Sequence, residues 1–341
     1  MITMPENLTT ENTFRIHAPS SDEIDVPRWI DDASDPYLHL QSQDEIRNYY
    51  QQNGYVVFRN LLPAELCDQA RRAFTQEVKP YNGYLYRQTS SGGAEKNHFT
   101  DYGYLLNSIL NIQDLNKDLF PDFKEAGLEV ITNQNLYDAV CNVLGEPGIM
   151  VQSMYFEGNP TTWAHQDTYY LDSTKIGSMT AAWIAIEDIQ PGAGRFFVYP
   201  GSHKVDMAKN GGNFDIAFNH MKYRELVLNV IEKYGLDCRA PALRKGDVLF
   251  WSAKTIHGSL ETLQPQFSRN SMTAHFIPAS TGFLQFQSRQ RKLNLRRIGC
   301  FQVDCPKDQS RLKNRAIFHL ETQFPQSFQL LKRLLIKLVT R

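Results

Sequence analysis

"IMVQSMYF", residues 149–156, carries no charge and mixes β-branched, aromatic and thioether side chains in a run shorter than a typical helix. Four downstream segments share its character: "SMTAAWIAIEDI" (178–189), "RFFVYP" (195–200), "DVLFW" (247–251) and "RNSMTAHFIP" (269–278). Gly, Pro, Asn and Asp punctuate the intervals between them. Short apolar runs with such turns predict an all-β sandwich or barrel. One helix, about Ile216–Tyr234, interrupts the series, so the β core spans about 150–280.

Upstream the pattern is different. "QDEIRNYYQQNGYVVFRNLLPAELCDQARRAFTQEV" reads as a helix ending at Gly54, a strand Tyr55–Phe58 and a second helix. Pro63 sits early in that helix, where a missing N–H costs nothing. Residues 80–103, rich in Gly, Ser, Tyr and Asn, predict a long loop, and a helix around Leu136–Leu144 follows. Residues 1–40 are polar and acidic and read as an extended or poorly ordered arm. No internal repeat is visible. The expected organisation is an arm over 1–40 and a single domain over 41–341, mainly β with surrounding helices and closed by a terminal helix over 327–341.

The chain has 341 residues, with 36 Lys and Arg against 37 Asp and Glu, so its bulk charge makes no case for nucleic-acid or membrane binding. Five scattered cysteines without a CxxC pair argue for reduced thiols and a cytoplasmic setting. The start "MITMPENLTTENTF" lacks the basic and apolar regions of a signal peptide, and no apolar run is long enough for a membrane span.

"WAHQDTYY" (163–170) sets His165 and Asp167 two positions apart, on one face if the segment is extended. Alone, this pair also fits a buried histidine bonded to an aspartate. Two histidines and one carboxylate would instead form the facial triad that binds non-haem Fe(II) and leaves positions open. Of the nine histidines, His257 and His275 remain on late core strands as candidates for the third partner. Twelve residues after His257 stands Arg269, between Ser268 and Ser271; a guanidinium there suits a dicarboxylate, which it grips with two parallel hydrogen bonds. Its bland alternative is a salt bridge at the barrel rim.

"GYVVFRNLLPAE", "WAHQDTYY", "TAAWIAIEDIQPGAGRFFVYPGSHK", "KGDVLFWSAKTIHGS" and "SRNSMTAHF" stand in order between about residues 50 and 280. With them the chain resembles the phytanoyl-CoA dioxygenase family of Fe(II)/2-oxoglutarate oxygenases. The resemblance implies a double-stranded β-helix, a jelly-roll, cupin-like barrel. It implies that His165, Asp167 and His257 are the iron ligands, that Arg269 clamps the distal carboxylate of 2-oxoglutarate, and that Ser259 assists. Trp183 and Met154 match positions lining the cosubstrate pocket. His275 also matches a family histidine, but not a ligand; it shares the face of Arg269, which points to an outer role or packing.

The implied function is a dioxygenase and hydroxylase that converts 2-oxoglutarate and O2 to succinate and CO2 while oxidising a C–H bond of a small-molecule metabolite. Asp167 favours hydroxylation, because related halogenases lack this carboxylate. The alternative is a non-catalytic jelly-roll protein that binds a metal or ligand. Fold and cofactor carry over from the resemblance; substrate does not. One of Tyr169 and Tyr170 is expected to face the substrate. Arg195 in "GAGRFF" reads as a solvated turn arginine or an anion contact, and the Ile216–Tyr234 helix as a candidate lid. "SRQRKLNLRR" (288–297) reads as a solvated basic surface. "SFQLLKRLLIKLVTR" (327–341) has one apolar stripe flanked by cations. It suits packing on the barrel or weak contact with a membrane surface.

Overall fold

The computed structural model describes residues 12–30, 35–88, 93–213, 215–328 and 330. Most of the expected terminal helix over 327–341 therefore lies outside the described residues. The segment expected to be an arm contains a hairpin, β1 (Thr13–His17) and β2 (Glu23–Pro27), paired antiparallel. Its alternation buries Phe14, Ile16 and Val26 and leaves Arg15, His17 and Asp25 outside.

Helix α1 (Gln43–Asn53) starts on a capping box, with Ser42 Oγ accepting from Glu45 N–H and the Glu45 carboxylate accepting from Ser42 N–H. It stops at Gly54, which holds φ +77°, where an added Cβ would collide with the His203 ring and Thr255. The chain then turns into β3 (Tyr55–Phe58). Pro63 caps α2 (Ala64–Ala73), and α3 (Pro121–Ile131) and α4 (Gln134–Leu144) follow. The next elements are β4 (Gly148–Phe156), β5 (Thr180–Ala185), β6 (Phe196–Val198), α5 (His220–Tyr234), β7 (Val248–Ser252), β8 (His257–Ser259), β9 (Ser271–Pro278), β10 (Leu295–Ile298), β11 (Phe301–Asp304) and α6 (Leu312–Gln323).

The large sheet runs β10-β11-β4-β9-β5-β7-β3, with the short strand Ile109–Leu110 also on β4. Its pairs are antiparallel except β11 with β4. One face carries Val56, Ala182, Phe250, Met272 and Ala274, packed with Phe74, Phe123 and Val140 from the helices. Register aligns two rungs on the other face: Met154–Thr273–Trp183–Leu249, and Gln152–His275–Ala181–Trp251.

The second sheet is small. β6 pairs with β8, and His165 bridges to His257 on the other side of β8. Gly258 is required there, because a Cβ would lie 2.5 Å from Thr162 O and 2.8 Å from Phe197 Cζ. The outer side of this sheet is covered by Tyr223, Val227 and Val230 of α5 together with the hairpin residues Phe14, Ile16 and Val26. α5 is thus a packed core helix rather than a free lid, and a 3-10 turn (Ile216–Phe218) precedes it. The expected jelly-roll architecture is borne out as sheets facing across a cavity, although the described strands do not close into a continuous barrel. β6 and β8 are only three residues long, too short to carry hydrogen bonding round to the edges of the large sheet.

Candidate active site

The two sheets meet at His165 and His257. Their backbones exchange hydrogen bonds of 3.0 and 2.9 Å, which brings the ring centroids to 4.4 Å. Gln166 is extended (φ −112°, ψ 136°), so Asp167 follows on the side of His165, although it already opens the 3-10 turn Asp167–Tyr169. His165 Nδ1 lies 2.9 Å from Trp163 O, and His257 Nδ1 2.8 Å from Thr255 O. A carbonyl can only accept, so each Nδ1 carries the hydrogen and each Nε2 keeps its lone pair. Those Nε2 atoms lie 3.6 and 3.5 Å from Asp167 Oδ1. The ligating atoms of His165, Asp167 and His257 all lie within 4.8 Å of one another.

The other carboxylate oxygen is occupied: Trp251 Nε1 donates to Asp167 Oδ2 at 2.9 Å, and His275 Nε2 stands 3.6 Å away. Burial opposes ionisation of Asp167, but the imidazoles of His257, His165 and His275, which attract and donate to it only while protonated on Nε2 in the metal-free site, outweigh it. Together they hold the carboxyl well below its usual range. Burial also lowers His257, against the pull of Asp167, which favours the neutral imidazole a metal needs. Two imidazole nitrogens and one carboxylate oxygen form the donor set of a non-haem iron facial triad.

The cavity beside them has a volume of about 260 Å³. Arg269 reaches into it, 3% exposed, and among the described residues no acidic side chain pairs with it. Its Nη1 donates to Gly194 O at 3.3 Å, its Nε has no partner, and its charge lies 5.6 and 5.9 Å from the rings of Phe156 and Trp183. Burial lowers it to about 10, so it remains a cation at neutral pH. A buried charge without a counter-ion is costly, and a dicarboxylate fits the vacancy in its hydrogen bonding. Ser259 lines the same cavity, its Oγ accepting from Thr162 N–H at 2.7 Å and its own hydrogen still available. Trp183 and Met154 line the wall on the Thr273 rung. The residues present therefore fit both iron and 2-oxoglutarate.

Other expectations sort differently. His275 stays outside the cluster of ligating atoms and faces Asp167 Oδ2. Tyr170 packs edge-on to His165 with its hydroxyl buried and unpartnered, whereas Tyr169 donates to Gly212 O in the core under α5. Arg195 is corrected: it is 1% exposed, away from the cavity, and donates to the carbonyls of Ile189, Pro27 and Arg28, tying the hairpin down. "PGSH" is structural, because Ser202 Oγ donates to Tyr199 O and accepts from Ile256 N–H, fixing the residue before His257. Trp251 was not singled out by its sequence. Its partner lies 84 positions away, and a strand tryptophan carries no local sign of such a bond.

A jelly-roll of two facing sheets, with two histidines and a carboxylate set before a buried cation, defines an iron- and 2-oxoglutarate-dependent oxygenase. The chain belongs to the phytanoyl-CoA dioxygenase (PhyH) family, whose model matches residues 50–271. It is similar to the peroxisomal phytanoyl-CoA dioxygenase of Homo sapiens, 24% identical over 264 residues, covering 73% of this chain and 72% of that protein. Its fold is shared with SnoK, a non-heme alpha ketoglutarate dependent carbocyclase from nogalamycin biosynthesis (TM-score 0.52, 17% identity, 72% of this chain and 87% of that one). It is also shared with EctD from S. alaskensis, solved with 2-oxoglutarate and 5-hydroxyectoine (TM-score 0.52, 14% identity, 79% and 93%). The chain is a dioxygenase that uses Fe(II), 2-oxoglutarate and O2. Among the described residues no helix is long and apolar enough to cross a membrane.

Proposed function

We propose that His165, Asp167 and His257 hold Fe(II) and that Arg269 and Ser259 bind the distal carboxylate of 2-oxoglutarate against Trp183 and Met154. On this reading the enzyme hydroxylates an unactivated C–H bond of a small-molecule metabolite. The observation that carries it is the convergence of two Nε2 atoms and Asp167 Oδ1 in front of a buried, acid-free arginine. Bound iron supplies the O2 chemistry, in which 2-oxoglutarate is oxidatively decarboxylated to succinate and CO2 and one oxygen atom passes to the substrate carbon.

The chain's own residues supply geometry and dryness. The carbonyls of Trp163 and Thr255 hold the two imidazoles in one tautomer, and Trp251 keeps Asp167 Oδ2 engaged so that Oδ1 faces the histidines. Arg269 supplies charge and Ser259 a hydroxyl, while Phe156, Phe196 and Trp183 keep water from the cosubstrate. A purely ligand-binding jelly-roll would not need an iron donor set and a cosubstrate clamp together in one cavity. All five cysteines are unpaired, which supports a reducing, cytoplasmic setting.

The test is anaerobic titration with Fe(II) and then 2-oxoglutarate, following the visible metal-to-ligand charge-transfer band. The band is expected in the wild type, absent in His165→Ala, and reached only at higher 2-oxoglutarate in Arg269→Ala. A folded wild type without the band refutes the assignment.

A further inference from the structure

The cavity has a second end, and strand register gives its direction. Arg269 directly precedes β9 and reaches over Phe156 and Trp183. Along β9, Thr273 stands opposite Met154 and Trp183, and two residues further on His275 stands opposite Gln152 and Ala181. The Arg269 guanidinium lies over Trp183 on the Thr273 rung, so at about 3.4 Å per strand residue the His275 rung stands one side-chain step, about 7 Å, beyond it and beside the metal cluster. The skeleton of 2-oxoglutarate is no longer than two extended residues, about 7 Å. Anchored on the Arg269 side chain and reaching the His165–Asp167–His257 cluster, it ends at about the His275 rung and leaves the margin lined by Gln152 and Gln88 to another molecule.

Among the described residues this wall carries two buried polar groups without hydrogen-bond partners, Thr273 on the rung beside Trp183 and His275 on the next. His275 is 3% exposed and Thr273 4%, yet His275 Nδ1 and Thr273 Oγ1 have no hydrogen-bond partner. A buried polar atom left unpaired is costly, so two on one wall call for a ligand that pairs with them. At the more exposed margin Gln152 Nε2 donates to Gln88 Oε1 at 3.3 Å, which leaves further donors and acceptors on both amides. Asp167 and Arg269 are the only carboxylate and guanidinium groups lining the cavity among the described residues, and no ammonium group does.

We infer that His275, Gln152 and Gln88 form the subsite for an uncharged hydrogen-bonding group of the substrate. The substrate is then a small polar compound with a hydroxyl or carboxamide near the carbon that is oxidised, not one that presents bare hydrocarbon to the site. This rests on the reading that 2-oxoglutarate occupies the Arg269 end.

The experiment titrates the anaerobic enzyme, loaded with Fe(II) and 2-oxoglutarate, with two sets of probes. N-acetylglycinamide and methyl glucoside form the polar set; cyclohexane and heptane form the hydrocarbon set. The readouts are the shift of the charge-transfer band and the rise in melting temperature. The polar set is expected to move both readouts. Gln152→Leu keeps the band but weakens the polar response about tenfold or more, the loss of one or two hydrogen bonds in a closed site. Gln88→Leu, at the exposed margin of the subsite, separates lost hydrogen bonding from misfolding and weakens the response in the same direction. A response to the hydrocarbon set alone, an equal response to both sets, or none to either overturns the inference while leaving the cofactor reading in place. A polar response unchanged in both variants overturns it too. A band missing from the wild type refutes the cofactor reading, and the inference falls with it.

Discussion

Replacing Trp251 tests whether the carboxylate of the cluster is held by one indole. Trp251 is 2% exposed and donates from Nε1 to Asp167 Oδ2 at 2.9 Å. Its ring also packs on Phe196 at 4.8 Å, on His257 at 4.9 Å and edge-on to His275 at 5.9 Å. Trp251→Phe removes both the donor and part of the packing. A hydrogen bond to an ionised acceptor contributes about 1.5–3 kcal/mol. At about 1.4 kcal/mol per decade that is roughly 10- to 150-fold in metal affinity, overlapping the 10- to 100-fold typical of an outer partner of a ligand. The packing loss, about 1–2 kcal/mol for a partial large-to-small change, falls on folding stability instead. Incorporating 3-benzothienylalanine, which puts sulfur in place of the N–H and keeps the shape, separates the two. Anaerobic calorimetry with Fe(II), or with Co(II) as an air-stable substitute, reads affinity, and urea unfolding of the metal-free protein reads stability. Both variants should lose metal affinity by that factor, and only Trp251→Phe should lose stability. An isosteric variant that binds metal like the wild type would refute the reasoning.

Arg269→Met removes an unpaired buried charge, so the metal-free protein should gain on the order of 1–4 kcal/mol of stability. It should also lose about 2–5 kcal/mol of 2-oxoglutarate binding; opposite shifts in melting temperature without and with 2-oxoglutarate would show this, and a destabilised apoprotein would count against the vacancy argued for Arg269. Asp114 gives a pH prediction. Burial lifts its carboxyl to about 7 against hydrogen bonds from Lys307 N–H and Asn111. Between about pH 4 and 7 the folded state therefore keeps a proton that the unfolded chain has released, so this group's contribution to stability falls as pH rises through that window and is flat above it. Asp114→Asn should remove that slope and stabilise the protein at pH 8 by up to ~4 kcal/mol, read from urea denaturation across the window. Arg195→Met strands the buried carbonyls of Ile189 and Pro27, at about 1–3 kcal/mol each. Hydrogen exchange should then show β1 and β2 losing protection first, with Fe(II) binding retained.

What could be read along the chain was what depends on near neighbours. His165 and Asp167 share a side because one extended residue separates them, and this survives the early end of the ladder at Asp167. The limits of β3 and the stop at Gly54 were equally local. The choice between His257 and His275 was not, for both come from core strands and both reach Asp167; what separates them is the oxygen they face, Oδ1 for one and Oδ2 for the other. That difference is set by Trp251, which shares the His275 rung and takes Oδ2 from across the sheet. Residue types alone brought His257 and His275 to the same short list, and the family resemblance was needed to choose. Arg195 was misread for the same physical reason. A turn arginine is ordinarily solvated, but here a hairpin 168 residues upstream replaces the water, and its three buried apolar positions stand singly among polar and charged neighbours in the sequence. Both arginines are buried, but their environments differ in one respect that burial alone does not register. Arg195 spends its hydrogens on backbone carbonyls of the fold, whereas Arg269 keeps an unpaired Nε beside an open cavity, and only the second has hydrogen-bonding capacity left for a ligand.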